Sequence, residues 1–432
     1  MIVNVIGAGL AGTEAAYQLA KRGFEVHLYE MKPHKFSPAH TSSSMAEIVC
    51  SNSFKSKEQT TASGTLKEEL KLLGSLNLDI AYKVAVPAGS ALAVDRDRFS
   101  TTITTIIENT PNIKIFHEEV KKIDRDMPTI IATGPLTSDA LSNDILKLLG
   151  EKNLFFYDAS APIVTAESIN YEKTFKADRY GKGESDYVNC PLSKEEYYKF
   201  VEELVSGERI ELKNFEKKEI FQGCIPIEVM ASGGKDSLRF GPLRPVGLFD
   251  ENGKRPYAVV QLRKENTKSD LYNLVGFQTN LTFTEQNRIF KLIPALENAE
   301  FIKFGVMHRN TYLNSPKHLN PDFSLKSRPN IYFAGQISGV EGYVESIASG
   351  LVAAISLANK LTGKKNMEFS NKTIIGSLCN YISTENVDFQ PMNANFGILE
   401  PLEDLPRDKK LRKQMYFDRA VKEMKRIKEN MR

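Results

Sequence analysis

The sequence predicts an α/β protein: a Rossmann-like dinucleotide-binding domain interrupted by a mixed α/β insertion. Three observations predict it. Met1 to Glu30 reads as strand, glycine-rich turn, helix, second strand and terminal acid. Asn330 to Lys360 returns to a buried strand, a glycine-containing turn and a helix. Between them, Asn153 to about Asn310 changes character to aromatics, charges and short strand-like runs.

Ile2, Val3, Val5 and Ile6 form an apolar, β-branched run suited to a strand buried on both faces. Gly7-Ala8-Gly9-Leu10-Ala11-Gly12 follows as G-x-G-x-x-G, and Thr13 to Arg22 is helix-forming, with Ala16, Leu19 and Ala20 at helical spacing. Gly23 ends that helix. Phe24 to Tyr29 alternates as a strand, and Glu30 closes it. In such a unit Gly7 permits the tight turn, Gly9 lets backbone approach a pyrophosphate, and Gly12 lets helix and strand pack closely. The helix N-terminus offers N–H groups to phosphates. Glu30 is placed to accept hydrogen bonds from a ribose diol. An ordinary βαβ turn would explain the glycines and leave Glu30 unaccounted for.

A chain of 432 residues predicts two or three domains, with ordinary apolar and charged fractions. Met1 runs directly into the first strand without a signal-peptide pattern, and no apolar run looks long enough to cross a bilayer, so the expected setting is cytoplasmic. Cys50, Cys190, Cys224 and Cys379 are scattered, with no C-x-x-C pair and no histidine at ligand spacing, which argues against a local zinc site or redox dithiol. Net charge is only +3, yet Arg407 to Arg432 holds eleven Lys or Arg against four Asp or Glu. Leu411, Met415, Val421, Met424, Ile427 and Met431 recur there at roughly helical spacing, predicting a basic amphipathic helix. It reads either as a solvated helix docked by its apolar stripe or as a phosphate-contacting element.

Met31 to Ser63 is a long polar, irregular segment carrying Cys50, and such segments inside compact domains are usually functional or disordered. Thr65-Leu66-Lys67-Glu68 reads as a capping box opening a helix that stops at Gly74. Val84 to Val94 predicts strand, turn and strand feeding a helix over Phe99 to Asn109; Ile113 to Val120 predicts a strand, as does Thr129 to Gly134. Within the insertion, Tyr257 to Leu262 and Leu274 to Thr279 are the clearest strands, and Arg239, Arg244 and Arg263 are candidates to face an acidic ligand, each otherwise a surface residue. Lys213 to Lys218 reads as surface. The returning strand Asn330 to Gln336 leads through Ile337 to Gly342 into a helix from Tyr343, its near end lined by Ser346, Ala348, Ser349 and Gly350. A second helix N-terminus beside the first glycine loop distinguishes an FAD fold of the glutathione-reductase type from a nicotinamide-only dehydrogenase. The implied domains are 1–150 with 325–432, ending in the basic helix 407–432, and an insertion over 151–324.

The chain then resembles, nearly end to end, the TrmFO family of folate- and FAD-dependent RNA uridine-5-methyltransferases, formerly grouped with the glucose-inhibited division proteins. The resemblance rests on GAGLAG at Gly7 to Gly12, AEIVCSNSF at Ala46 to Phe54, VPAGSALAVDR at Val86 to Arg96 and ATGPLTS at Ala132 to Ser138. It continues through GCIPIEVM at Gly223 to Met230, FGPLRPVGL at Phe240 to Leu248 and GVMHRNTYLNSP at Gly305 to Pro316. It ends in FAGQISGVEGYVESIASG at Phe333 to Gly350 and FQPMNANFG at Phe389 to Gly397. One departure is Phe54-Lys55, where relatives more often carry Leu-Arg.

The resemblance implies methylenetetrahydrofolate as one-carbon donor, reduced FAD as electron source, NAD(P)H to reload it, and a uridine that gains a 5-methyl group. Uracil C5 is a poor nucleophile until a thiolate adds at C6. By motif, Cys224 is assigned as that nucleophile and Cys50 as the thiol beside the flavin, although either could fill either role. Candidate bases are Glu341, Glu345 and His308. Cofactor contacts are expected from Gly7, Ala8, Gly9, Leu10, Ala11, Gly12, Glu30, Gly335 and Gly342. The expected RNA is tRNA at its T-loop uridine, with large-subunit rRNA as the alternative, and the uridine must leave its stack to react. Readings from other classes are a small-molecule flavin oxidoreductase, a noncatalytic RNA-binding flavoprotein and an S-adenosylmethionine methyltransferase; the last leaves Gly335 to Gly342 without a purpose.

Overall fold

The structure, a computed structural model, describes residues 1–151, 155–159, 161–179, 186–210, 225–250, 252–265, 270–305, 307–386, 389–403 and 406–430, with backbone alone at 155–159 and 307–310. The Lys213–Lys218 run and Cys224 lie outside the described residues.

A six-stranded sheet organises the first half of the molecule. Its spatial order is Ser324–Leu325, Arg328–Phe333, Thr129–Ile131, Ile2–Ile6, Glu25–Tyr29 and Ile113–Phe116. Only the outermost pair, Ser324–Leu325 with Arg328–Phe333, is antiparallel. Val5 sits opposite Leu28 on one side and Ile130 on the other, and all three are fully buried. Burial on both faces is why these strands are continuous β-branched runs. Strand order proceeds outward in both directions from Ile2–Ile6. The crevice beyond the C-terminal ends of Ile2–Ile6 and Thr129–Ile131 is therefore the topological switch point, where open α/β sheets bind ligands.

Two helices pack closely over this sheet, Leu10–Ala20 and Tyr343–Leu361. A Cβ on Gly350 would stand 2.2 Å from the Ala11 carbonyl oxygen, so glycine sets the approach. Tyr343–Leu361 is, among the described residues, the one helix long and apolar enough to cross a bilayer. Here 78% of that stretch is buried inside the protein as a core helix.

The insertion has its own antiparallel sheet, ordered Phe175–Lys176, Val188–Leu192, Ala258–Lys264, Leu271–Leu274, Ile163–Thr165 and Phe301–Lys303. Val188, Val260 and Leu274 pack with Tyr197 and Phe200 of the helix Lys194–Ser206 in a second core, separate from the core that includes Val5, Leu28 and Leu351. Phe155–Ala159 and Met307–Thr311 pair antiparallel where the chain passes between the two halves.

Several element boundaries depart from the sequence reading, and four of the departures have a clear cause. The helix expected to open at Thr65 starts at Ala62, capped by Thr61, whose side chain accepts from the Gly64 N–H at 3.0 Å. Thr65 Oγ1 instead donates to the Gln59 and Thr61 carbonyls. Asp95 caps the next expected helix at Arg96, three residues before Phe99. The strand expected over Leu274 to Thr279 is Leu271–Leu274; Gly276 turns the chain at φ +80°, and Thr279 and Asn280 bond Glu228 instead of a neighbouring strand. The C-terminal helix Lys409–Glu429 forms, but Leu411 is 50% exposed and its buried stripe is Tyr416, Phe417, Ala420, Met424 and Ile427. It packs on the helix Ala62–Leu73. Met431 lies outside the described residues.

Candidate active site

The cleft at the switch point begins with the glycine loop. Gly7 donates its N–H to the Tyr29 carbonyl at 2.8 Å and holds φ +96°; a Cβ there would come 2.7 Å from the Ala132 carbonyl oxygen. A Cβ on Gly12 would come 1.8 Å from the Gly7 carbonyl oxygen, whereas one on Gly9 would meet nothing within 4 Å. Gly7 and Gly12 therefore close the turn, and Gly9 faces open space at the start of a helix with no side-chain cap. Gly7, Ala8, Gly9, Leu10 and Ala11 line the cleft; Gly12 supports it from behind.

Glu30 stands beside this loop and is almost buried. Its Oε2 accepts from the Ala8 N–H at 3.0 Å and its Oε1 from the Lys32 N–H at 3.1 Å. The carboxylate thus braces the loop as well as lining the cleft. Each oxygen retains a lone pair for a diol, since a carboxylate has about four acceptor sites. An open Gly9, a braced acid and an uncapped helix N-terminus together fit a dinucleotide.

The far wall comes from the returning chain. Gly335, at φ +80°, donates its N–H to Ser349 Oγ at 2.7 Å and lines the cleft with Tyr343 and Ser346. Gly342, at φ +121°, precedes the helix; a Cβ there would stand 2.3 Å from Glu345 Oε2 and 2.9 Å from Lys55 Nζ. Ala132, Thr133 and Gly134, beside Gly7, also line the cleft.

Cys50 is half-buried in a turn joined to this wall. The Cys50 and Ser51 N–H groups both donate to the Tyr343 hydroxyl, at 3.0 and 3.1 Å. On its carbonyl side, Arg96 donates to the Ile48 oxygen and lies 3.5 Å from that of Cys50, while Lys303 Nζ donates to the Val49 oxygen at 3.0 Å. Arg96 is paired with the buried Glu265 of the insertion. Burial opposes the Arg96 charge, and Glu265, together with Tyr343 and Cys50, more than offsets it. Burial and Arg96 push the Lys303 pKa down. Burial also raises that of the Tyr343 hydroxyl.

Asn52 ties the same turn to both halves: its Nδ2 donates to the Val94 and Lys264 carbonyls, and its Oδ1 accepts from Arg263 Nε at 2.8 Å. Arg263 is therefore an internal strut, contrary to the expectation that it faces an acidic ligand. Arg239 is likewise engaged, over the Tyr257 ring at 3.7 Å and with Asp236 at 3.2 Å. Arg244 is exposed.

The other candidates separate clearly. The helix Ile227–Ser232 resumes after Cys224, anchored by the Ile227 N–H to Gln278 and by the buried Glu228 carboxylate to Thr279 and Asn280. Cys190 and Cys379 are buried thiols whose pKa values burial drives upward, which suits packing residues. Glu345 is wholly buried, accepting from Lys55 Nζ at 2.8 Å and from the Ala394 N–H at 2.9 Å. Glu341 accepts from the Gln336 amide. His308 lies on a strand paired with Asp158, described by its backbone alone. Sequence reasoning missed Arg96, Lys303, Tyr343 and Lys55 as site residues, because their partners lie tens to hundreds of residues away.

The family model described as "Glucose inhibited division protein A" matches residues 2–365. A methylenetetrahydrofolate–tRNA-(uracil-5-)-methyltransferase TrmFO from Acetivibrio thermocellus is 55% identical over 425 residues, 98% of each chain. Its namesake from Halalkalibacterium halodurans is 52% identical over 431 residues, 99% of each. Among solved structures, Aquifex aeolicus GidA in its form II crystal superposes with a TM-score of 0.74 at 17% identity, over 99% of this chain and 73% of that one. That likeness concerns the fold.

Proposed function

This chain belongs to the TrmFO family, and on that footing we propose that it methylates C5 of a uridine in tRNA with methylenetetrahydrofolate as the one-carbon donor. The observation that carries the reading is a near full-length relationship to tRNA uracil-5-methyltransferases, joined to a dinucleotide cleft with a cysteine turn at its wall. FAD held in that cleft supplies the reducing equivalents that complete the methyl group, and NAD(P)H replenishes them.

The chain's own residues divide the work. Gly9 and the following N–H groups receive the pyrophosphate, and Glu30 receives the ribose. Gly335 and Gly342 bring backbone against the flavin end, where the Tyr343 helix directs its positive pole. The Cys224 thiolate adds to uracil C6, and the ring electrons released at C5 attack the electrophilic methylene carbon. A base removes the C5 proton as the bond between the one-carbon unit and the tetrahydrofolate nitrogen breaks, leaving an exocyclic methylene at C5; hydride delivered to that methylene completes the methyl group, expels the sulfur from C6 and restores the C5–C6 double bond. Cys50, beside Tyr343, assists the methylene transfer or the proton transfer. The lysines of the C-terminal helix and the insertion contact the tRNA phosphates. The substrates, tRNA and reduced folate, set the enzyme in the cytoplasm.

Incubation with labelled methylenetetrahydrofolate, NADH and separate tRNA and rRNA fragments, followed by nucleoside analysis, tests the reading. Label is expected in 5-methyluridine from tRNA. Label confined to rRNA overturns the substrate, and unlabelled RNA overturns the reaction.

A further inference from the structure

We propose that Arg96 and Lys303 are positioning residues that hold the Cys50 thiol as a thiolate, so that seating of the insertion on the first domain arms this cysteine. The inference rests on the catalytic reading of Cys50 above.

The geometry is specific. Arg96 opens the helix Arg96–Glu108 of the first domain, and Lys303 ends the insertion strand Phe301–Lys303. From these two origins the cations converge on consecutive carbonyls: Arg96 reaches Ile48 and Cys50, and Lys303 reaches Val49. Convergence of like charges is costly unless a counter-charge shares the site. Glu265 supplies one, bonded to Arg96. Glu47 bonds Lys32 at 3.3 Å and the Thr41 and Ser42 N–H groups, and its charge also acts on Lys303, which in turn faces the His40 ring. Arg263 from the insertion is engaged with Asn52. Tyr343 faces the turn as a hydroxyl that accepts the Cys50 and Ser51 N–H groups.

A thiolate at Cys50 shares these two cations with Glu265 and Glu47. The electrostatics agree: a Cys50 anion strengthens the hold of both Arg96 and Lys303 on their protons. Interaction energy is mutual, so both cations favour loss of the thiol proton to solvent. Reactive thiols elsewhere are lowered by the same means, a neighbouring Lys or Arg.

The test is the pH dependence of Cys50 alkylation by iodoacetamide in the FAD-loaded enzyme, read by mass spectrometry of the Cys50 peptide. Wild-type Cys50 is expected to titrate below about 8.5, the value of a free thiol. Lys303→Met is expected to raise that midpoint by about one pH unit and slow alkylation at pH 7 roughly tenfold, in line with loss of one nearby opposite charge. Lys303→Arg retains the charge and is expected to stay within about twofold of wild type. Flavin content and the unfolding midpoint report whether each variant is folded, and Lys303→Gln, which removes the charge but keeps a donor for the Val49 carbonyl and is expected to raise the midpoint likewise, serves as a second probe should Lys303→Met fold poorly. An ordinary thiol midpoint in wild type, or one unmoved in Lys303→Met, overturns the proposal. Methylation of tRNA with a flat titration defeats this inference alone. A depressed midpoint without methylation defeats the proposed function and leaves the charge arrangement standing.

Discussion

Lys55 Nζ lies 2.8 Å from Glu345 Oε1, joining residues 290 positions apart, and the carboxylate has no exposed side-chain surface while the lysine keeps 38%. The pair sits under Gly342, at the entry to the helix that walls the cleft. Lys55→Ala would strand a buried carboxylate that keeps the Ala394 N–H as a partner. Breaking a buried pair costs about 3–5 kcal/mol, and partial exposure of Lys55 scales this to about 1–3 kcal/mol. Denaturant unfolding should show that loss, with Lys55→Arg close to wild type.

Gly12→Ala tests the cofactor cradle directly. Its new Cβ would come 1.8 Å from backbone at Gly7, which cannot yield without moving the turn. Retention of FAD should fall at least tenfold, equivalent to about 1.4 kcal/mol, while far-ultraviolet circular dichroism stays near wild type. Undiminished flavin absorbance in the purified variant would remove the glycine loop from the site.

The helix Ala62–Leu73 carries two buried groups with opposing pH behaviour. Burial raises Glu69 from its usual 4.5 to about 8, although its carboxylate accepts from the Ile374 and Ile375 N–H groups. Burial lowers Lys67 from 10.5 to about 7. For Glu69 the folded state holds the proton more tightly, so its contribution is fully present below pH 4.5 and is lost as pH rises toward 8. For Lys67 the unfolded state holds the proton more tightly, so stability rises with pH between about 7 and 10.5. Urea unfolding across pH should show Glu69→Gln flattening the acid-side decline and Lys67→Met flattening the alkaline-side rise. Unchanged slopes in both variants would contradict this assignment.

On the C-terminal helix, Lys409, Lys410 and Lys413 are exposed in the first turns, ahead of the buried Tyr416, Phe417 and Met424. Replacing the three lysines with glutamine should weaken tRNA binding and flatten the plot of log affinity against log salt by roughly 0.7–0.9 for each phosphate no longer neutralised. NADH oxidation without RNA should be unaffected. An unaltered salt slope would assign RNA binding to another face.

Local patterns carried the sheet and the glycine loop because their logic is short-range. The turn at Gly7, the brace from Glu30 and the strand Arg328–Phe333 each depend on neighbours in one supersecondary unit. The Thr65 cap failed because Thr61, Ser63 and Gly64 offered an earlier start, and a Cβ on Gly64 would collide with the Glu58 carbonyl at 1.9 Å. The strand expected over Leu274 to Thr279 failed because buried Glu228 recruits Thr279 and Asn280. The surroundings of Cys50 were illegible for a different reason. Arg96, Lys303 and Tyr343 reach it from separations of 46 to 293 residues, and no spacing rule connects them.

Asn52 spends a single carboxamide on the main chain of Val94, the main chain of Lys264 and the guanidinium of Arg263. It behaves like a rivet through two plates. Were the plates to slip, the Lys264 carbonyl and the Arg263 guanidinium would lose this partner together, two residues from the sulfur. Exchange of the Asn52 side-chain amide protons would therefore register that slippage before either plate began to melt.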